Sequence, residues 1–338
     1  MKIVRSRAPL RLGLAGGGTD LDVYCNNHIG NVLNATISLY THCTITENNS
    51  NNISFKSLDI NESIKFSLGE KLSFDGKMDL YKGIYIHLRN KFNLKEVGFS
   101  LVTYSDVVSG SGLGGSSTLV VTIIKAFSLF FNLNLSKKEI AEIAFKVERE
   151  DVGIIGGSQD QYASSFGGFN FMYFDKKEVQ VDPIKLSSDI IFELESSTIL
   201  YYTGIQRNAG QIEKEKKNLI SQKKSIDAMH EIKKNAQEMK NYLINSDLYH
   251  FAKKLDETWK NKKRVSKEVS NDKINFIYDL CIQNGAYGGK VSGAGGGGYM
   301  FFIIDPLKKI FLTNLLNKQE GLVFNFKFED KGAHAWIV

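Results

Sequence analysis

Cysteine is scarce and poorly placed for pairing. The chain holds three, Cys25, Cys43 and Cys281, an odd number spread far apart, which argues against a disulfide framework or a CxxC metal site and fits a reducing cytoplasm. Long apolar runs are also missing. The longest, Leu119 to Phe131, carries Lys125 in its middle and is shorter than the ~20 residues a bilayer requires. Near the N-terminus Arg5, Arg7, Pro9 and Arg11 break the apolar residues before Gly16, so no export signal is expected. No internal repeat is apparent.

What is present describes a folded protein. Hydrophobic residues make up 42% of the 338 and charged residues 24%, ordinary globular usage, and at roughly 100 to 200 residues per domain the length favours two domains. The net charge of +6 is local. Residues 211–273 contain sixteen Lys or Arg against ten Asp or Glu, which leaves 27 of each sign elsewhere. In that region Ile226, Met229, Ile232, Ala236, Met239 and Leu243 recur at helical spacing with acidic residues among the lysines, the pattern of a solvated helix face. Without zinc-finger spacing or an RNP-like aromatic motif, nucleic acid is not the expected partner.

The texture changes near Asp182-Pro183. Before it, β-rich runs at Asn31–Ser38, Thr41–Glu47, Ile53–Lys56 and Phe99–Tyr104 alternate with a few helical patterns. After it, long helical patterns lead to a glycine-rich turn, an apolar strand at Tyr299–Ile304 and a strand-like run at Ala333–Val338. Strands and helices in blocks, with no βαβ rhythm, predict an α+β protein of two lobes. The expected N-terminal domain is 1–183, β-rich, and the expected C-terminal α/β domain is 184–338.

Three glycine-rich segments carry the chemistry. The central one, Gly110-Ser111-Gly112-Leu113-Gly114-Gly115-Ser116-Ser117-Thr118, follows an apolar strand and opens directly into a helical run. Glycine lets backbone approach a ligand, and the free N–H groups of a helix start attract anions, so this reads as a phosphate cradle. It formally contains GxGxxG, yet Asn132–Ile143 reads as a polar turn and a helix where a dinucleotide fold needs a second strand ending in an acidic residue. Gly-Lys-Ser/Thr is absent, which removes a Walker A loop. Backbone amides can still hold a nucleoside triphosphate, with Ser116, Ser117 or Thr118 offering a hydroxyl to magnesium.

Together the three segments resemble the motifs of the GHMP kinases. Ala8-Pro9-Leu10-Arg11-Leu12-Gly13-Leu14-Ala15-Gly16-Gly17-Gly18-Thr19-Asp20 resembles their first motif, the central loop their second, and Lys290-Val291-Ser292-Gly293-Ala294-Gly295-Gly296-Gly297-Gly298-Tyr299 their third, a glycine turn that packs beside the nucleotide loop. Order and spacing fit from residue 4 to residue 304. Ala15–Asp20, Tyr202–Arg207, Trp259–Arg264 and Gly285–Lys290 resemble the branch of D-glycero-D-manno-heptose 7-phosphate kinases and related sugar 1-kinases. The resemblance implies an ATP-dependent, Mg²⁺-requiring cytoplasmic kinase that phosphorylates the anomeric hydroxyl of a sugar phosphate. A homodimer is compatible with that reading. The alternatives are a fucose-type sugar 1-kinase and a non-catalytic protein of the same fold; a decarboxylase is disfavoured by the first motif.

By the same resemblance Glu148 joins Ser116 or Ser117 on Mg²⁺, Asp160 takes the acceptor proton and Arg11 stabilises charge on the transferring group. Singly, these residues have ordinary readings as a helix surface, a cap and an ion pair; jointly they point to catalysis. The second motif lacks its usual proline and has Gly115 where a serine would stand, so an ungapped match favours Ser116 as metal ligand and a one-residue shift favours Ser117. For the sugar, Gly17, Gly18, Thr19 and Asp20 are the candidates, with Gly293 and Gly295 from the third motif. Asp20 can accept from two hydroxyls. Arg207 and Lys290 are the candidate cations for the substrate phosphate.

Overall fold

The computed structural model describes residues 1–108, 110–206 and 223–338. The first half runs β1 (Ile3–Ala15), a short α1 (Asp22–Cys25), β2 (Gly30–Glu47), β3 (Asn52–Ser57), β4 (Glu62–Ser67), α2 (Asp79–Phe92), β5 (Phe99–Ser105), α3 (Gly115–Phe130) and α4 (Lys137–Phe145). A π-helical turn (Lys146–Asp151), α5 (Gln159–Phe166), β6 (Phe169–Phe174) and β7 (Val179–Ile184) follow. The rest comprises α6 (Ser188–Ser197), β8 (Thr198–Tyr202), α7 (Lys223–Ile244), α8 (Leu248–Val265), α9 (Asp272–Gln283), β9 (Ala286–Val291), β10 (Tyr299–Ile304), α10 (Pro306–Leu316), β11 (Leu322–Phe324) and β12 (His334–Ile337).

These strands form two sheets, so the α+β expectation holds. In the larger, β2 is the spine. Its first half pairs with β6 and its second half with β5, while β1 lies antiparallel along its other side. The two β-runs read at 31–38 and 41–47 are therefore one strand. Its pairing with β1 shifts register twice, between Gly13 and Ala15 and beside Pro9, where the ring leaves no N–H for the ladder. Ser38 gives its N–H to Lys327 O instead, at 2.8 Å. Pro183 sits on β7, which pairs only with β6, an edge position where proline is tolerated. The last strand, β12, returns to pair with β1. The smaller sheet has the order β11-β8-β10-β9.

Among the described residues, the three largest of five apolar clusters hold the layers. α3, apolar nearly all round, is buried against the first sheet with Ile124 and Phe127 among Val4, Ile45, Phe55 and Phe99. The stripe read on α7 is inward-facing as expected: Met229, Ile232, Ala236, Met239 and Leu243 are buried and Ile226 is half-buried. Ala236, Met239 and Leu243 join Leu12, Leu33, Leu255 and Phe301 in a core that spans both sheets. Behind the smaller sheet, Trp259, Ile274, Ile277, Met300 and Phe302 form the third. This packing brings the ends of β1, α3 and α5 and the turn before β10 around one cavity.

Candidate active site

The cavity is lined by all three glycine segments. Gly13, Gly17, Gly18 and Asp20 come from the first, Gly110 to Gly112 and Gly114 to Ser117 from the second, Gly293 and Ala294 from the third. The second and third are stitched together. Tyr299 donates its N–H to Ser111 O at 2.9 Å, and a Cβ on Gly298, whose φ is +77°, would stand 2.0 Å from that oxygen, so only glycine allows the turn to close there. α3 begins beyond Gly114 with no side-chain cap. Its first residues, Gly115 to Ser117, line the cavity, and the N–H groups of a helix start are an arrangement that binds phosphate. The Ser111 hydroxyl is buried without a hydrogen-bond partner among the described residues, which suits a nucleotide oxygen.

Arg11 and Asp160 form a fork. Nε donates to Oδ1 and Nη2 to Oδ2, both at 2.7 Å, while Nη1 donates to Gly112 O at 2.7 Å and to Ser292 Oγ at 3.4 Å. One guanidinium thus ties the carboxylate in the first turn of α5 to the central loop and the third motif, with geometry lysine could not reproduce. Arg11 is 3% exposed. Such a pair is expensive to break, about 3 to 5 kcal/mol when one partner is removed.

Glu148 is fully buried in the π turn. Its Oε1 accepts from Ser116 Oγ at 2.8 Å and its Oε2 from Ser117 Oγ at 2.7 Å and Gln161 Nε2 at 2.7 Å. The structure brings both candidate serines to the one carboxylate. Two hydroxyls and a carboxylate are the hard oxygen set that magnesium takes, completed in kinases by nucleotide phosphates, so these residues fit the ion. Among the described residues no cluster of three or more His, Cys, Asp or Glu offers a self-sufficient metal cage.

Asp20 is 4% exposed. It accepts from the Gly18 N–H at 2.9 Å and from Gln159 through its backbone N–H at 3.2 Å and its Nε2 at 3.1 Å. Thr19 is fully buried and acts within the turn, its hydroxyl donating to Gly16 O at 2.8 Å and Asn31 O at 3.0 Å. Thr118 bonds Ser164 at 2.6 Å. Leu113 is buried, and its O accepts the Arg11 N–H at 3.1 Å. Neither Thr19, Thr118, Leu113 nor Gly295 is among the described residues that line the cavity. Lys290 does line it, while its ammonium donates to Gly13 O at 2.5 Å and Leu14 O at 3.2 Å, holding β1 to β9. Arg207 lies outside the described residues.

Among the lining or supporting polar residues to which the sequence reading gave no role are Arg149, Gln159, Gln161 and Lys262, whose ammonium contacts Gly293 O. The first three are chain neighbours of Glu148 or Asp160. That adjacency was the available signal.

A cavity walled by three glycine motifs, with a carboxylate–guanidinium fork and a serine–glutamate cluster, defines a small-molecule phosphotransferase. The model of the GHMP kinases N-terminal domain matches residues 79–168 and that of the GHMP kinases C-terminal domain matches 239–312. The chain belongs to this family of ATP-dependent kinases and is a sugar-kinase homologue with an alcohol acceptor. It is 51% identical to the D-glycero-alpha-D-manno-heptose 7-phosphate kinase of Campylobacter jejuni across 100% of both chains. A crystal structure of a D-glycero-D-manno-heptose 1-phosphate kinase from Bacteroides thetaiotaomicron, 40% identical, matches with a TM-score of 0.86 over 99% of each chain. A mevalonate kinase structure, 22% identical, shares the fold with a TM-score of 0.78 over 97% of this chain and 99% of its own.

Proposed function

We propose that the chain transfers the γ-phosphoryl group of ATP to the anomeric C1 hydroxyl of D-glycero-D-manno-heptose 7-phosphate, giving a 1,7-bisphosphate for nucleotide-activated heptose synthesis. The observation that carries this reading is the placement of the Arg11–Asp160 fork, the Glu148 cluster and Asp20 on one cavity, together with the full-length likeness to the Campylobacter kinase. The acceptor oxygen forms a bond to the γ-phosphorus, the bond to the bridging oxygen of ADP breaks, and the hydroxyl proton passes to Asp160. Arg11 orients the Asp160 carboxylate through two hydrogen bonds and offsets negative charge on the transferring group. Ser116, Ser117 and Glu148 hold Mg²⁺, which neutralises phosphate charge when bound. The amides at the start of α3 and Ser111 hold the phosphates of ATP. Gly17, Gly18 and Asp20 bind the sugar hydroxyls, beside Gly293. Lys290 and Arg207 are the proposed cations for the substrate phosphate.

The names of the two relatives put the existing phosphate at opposite ends of the sugar. That favours one second reading, phosphorylation of C7 on the 1-phosphate. Coupled assays on heptose 7-phosphate, heptose 1-phosphate, free heptose and L-fucose, with the product position read by ³¹P NMR, separate these. The 7-phosphate should be used far better than the others and yield phosphate on C1. Equal rates on free heptose would remove the sugar-phosphate assignment.

The lobe boundary at 183/184, a cytoplasmic site of action and a homodimer belong to the same proposal. Three buried free thiols suit a reducing compartment. No helix among the described residues is long and apolar enough to cross a membrane. Light scattering tests the dimer.

A further inference from the structure

Arg149 stands between two parts of the cavity, and phosphoryl transfer as described gives it no task. Its side chain is 13% exposed, with Nη1 3.4 Å from Glu148 Oε1. Nη2 donates to Ser117 Oγ at 3.4 Å. The remaining contacts go to the next loop, Nη1 to Ile154 O and Nε to Gly157 O, each at 3.2 Å. The guanidinium lies against Gly156, where an added Cβ would come within 2.7 Å of Cζ. Gly157 in turn packs on the Asp20 carboxylate, and Gln159 just beyond it donates to Asp20 twice. From the far side the π turn is braced by His87, whose Nδ1 is 2.9 Å from Asp151 Oδ2, and by Gly83, close against Val147 and Val152. The backbone of Arg149 is therefore fixed, and its planar head touches the metal-side oxygens and the sugar-side loop at once.

We propose that Arg149 is a positioning residue that holds the loop 154–157, and through it Asp20, in register with the Ser117–Glu148 oxygens, so that the sugar and nucleotide subsites stay aligned. The proposal rests on the sugar-kinase reading of the cavity. Two roles demand a fork: lysine restores charge beside Glu148 but cannot span two carbonyls and a hydroxyl from one ammonium.

Titration calorimetry of Mg·ADP and, separately, of heptose 7-phosphate into wild type, Arg149→Gln and Arg149→Lys tests it without turnover. In Arg149→Gln both dissociation constants should rise about tenfold or more, the loss of charge-assisted hydrogen bonds on both sides. Arg149→Lys should bind Mg·ADP within about threefold of wild type and remain as weak as the Gln variant for sugar, because only the charge is restored. If Arg149→Gln does not fold, the Lys variant carries the test alone. Full recovery of both affinities by lysine, or a change confined to Mg·ADP, overturns the proposal. A wild-type protein that binds no sugar phosphate removes the functional reading and the proposal with it.

Discussion

Gly157 lies so close to Asp20 that a Cβ in its place would stand 1.9 Å from the carboxylate Oδ2. Backbone at 157 and carboxylate at 20 have been shaped to each other, and a methyl group has nowhere to go except through the proposed sugar ligand. Gly157→Ala should therefore raise the KM for the sugar at least about tenfold, the cost of a misplaced binding group, and leave the KM for ATP within about twofold, since the three atoms nearest the added Cβ all belong to Asp20. Steady-state kinetics with each substrate varied in turn will read this. Unchanged sugar KM in the alanine variant would remove Asp20 from the sugar site.

Gly114 couples the cradle to the base. At φ +80° it turns the chain into α3, and a Cβ there would lie 3.2 Å from Cγ and Oδ2 of Asp160. Gly114→Val adds two branches to that contact and strains the backbone, which L side chains seldom place in the left-handed region. The expected result is a double defect: affinity for a fluorescent ATP analogue falls at least about tenfold as the amides tilt away, and turnover falls further than affinity because Asp160 is displaced. A folded variant with normal nucleotide affinity would mean that the loop is only a turn.

Much of this was legible because the signals are local. Strand periodicity at 99–104 and 299–304, the stripe on α7 and the glycine clusters each report on a short window. The neighbours that finish the site do not. Nothing near Thr19 says that its hydroxyl closes on Asn31 O rather than on a sugar, and nothing near Lys290 says that β1 carbonyls 277 and 276 residues away will occupy it. Serines 116 and 117 could not be told apart by register because α3 offers both to Glu148 across 32 and 31 residues. The single β2 looked like two strands because the shift beside Pro9 is imposed by its partner.

The thiols give a pH-dependent prediction. Burial pushes Cys25 from its ordinary 9.0 up to about 12, with the Asp20 and Asp22 carboxylates adding to the rise; burial raises Cys43 and Cys281 as well. Above pH 9 the unfolded chain loses thiol protons that the folded chain keeps, so the unfolded state binds fewer protons and stability falls as pH rises. For Cys25 the contribution is whole below 9 and is lost toward 12. Urea midpoints should drop steadily between pH 9 and 11, and an aromatic disulfide reagent at pH 8 should leave all three thiols unreacted until denaturant is added. One thiol reacting rapidly in the native protein would show that its burial is incomplete.

Asp160 and Glu148 are both carboxylates on the cavity, and their partners separate the consequences of neutralising them. Asp160→Asn removes the proposed proton acceptor and one charge of a fork that is buried on the arginine side. Turnover should fall roughly 10² to 10⁴, the usual worth of a positioned general base, with little change in the KM for ATP. Because the transition state of phosphoryl transfer is loose, the acceptor proton departs late and the loss should lie toward the lower end. Freed from Asp160, Arg11 keeps Gly112 O, so stability should drop by less than the ~3 to 5 kcal/mol of a fully orphaned charge. Glu148→Gln acts on the metal instead. Its amide still meets Ser116 and Ser117 but offers a neutral oxygen, so the Mg²⁺ concentration for half-maximal rate should rise and added metal should restore part of the activity. Magnesium should do nothing for Asp160→Asn. Rescue of the Asn variant by metal, or near-normal turnover in it, would show that the base lies elsewhere in the cavity.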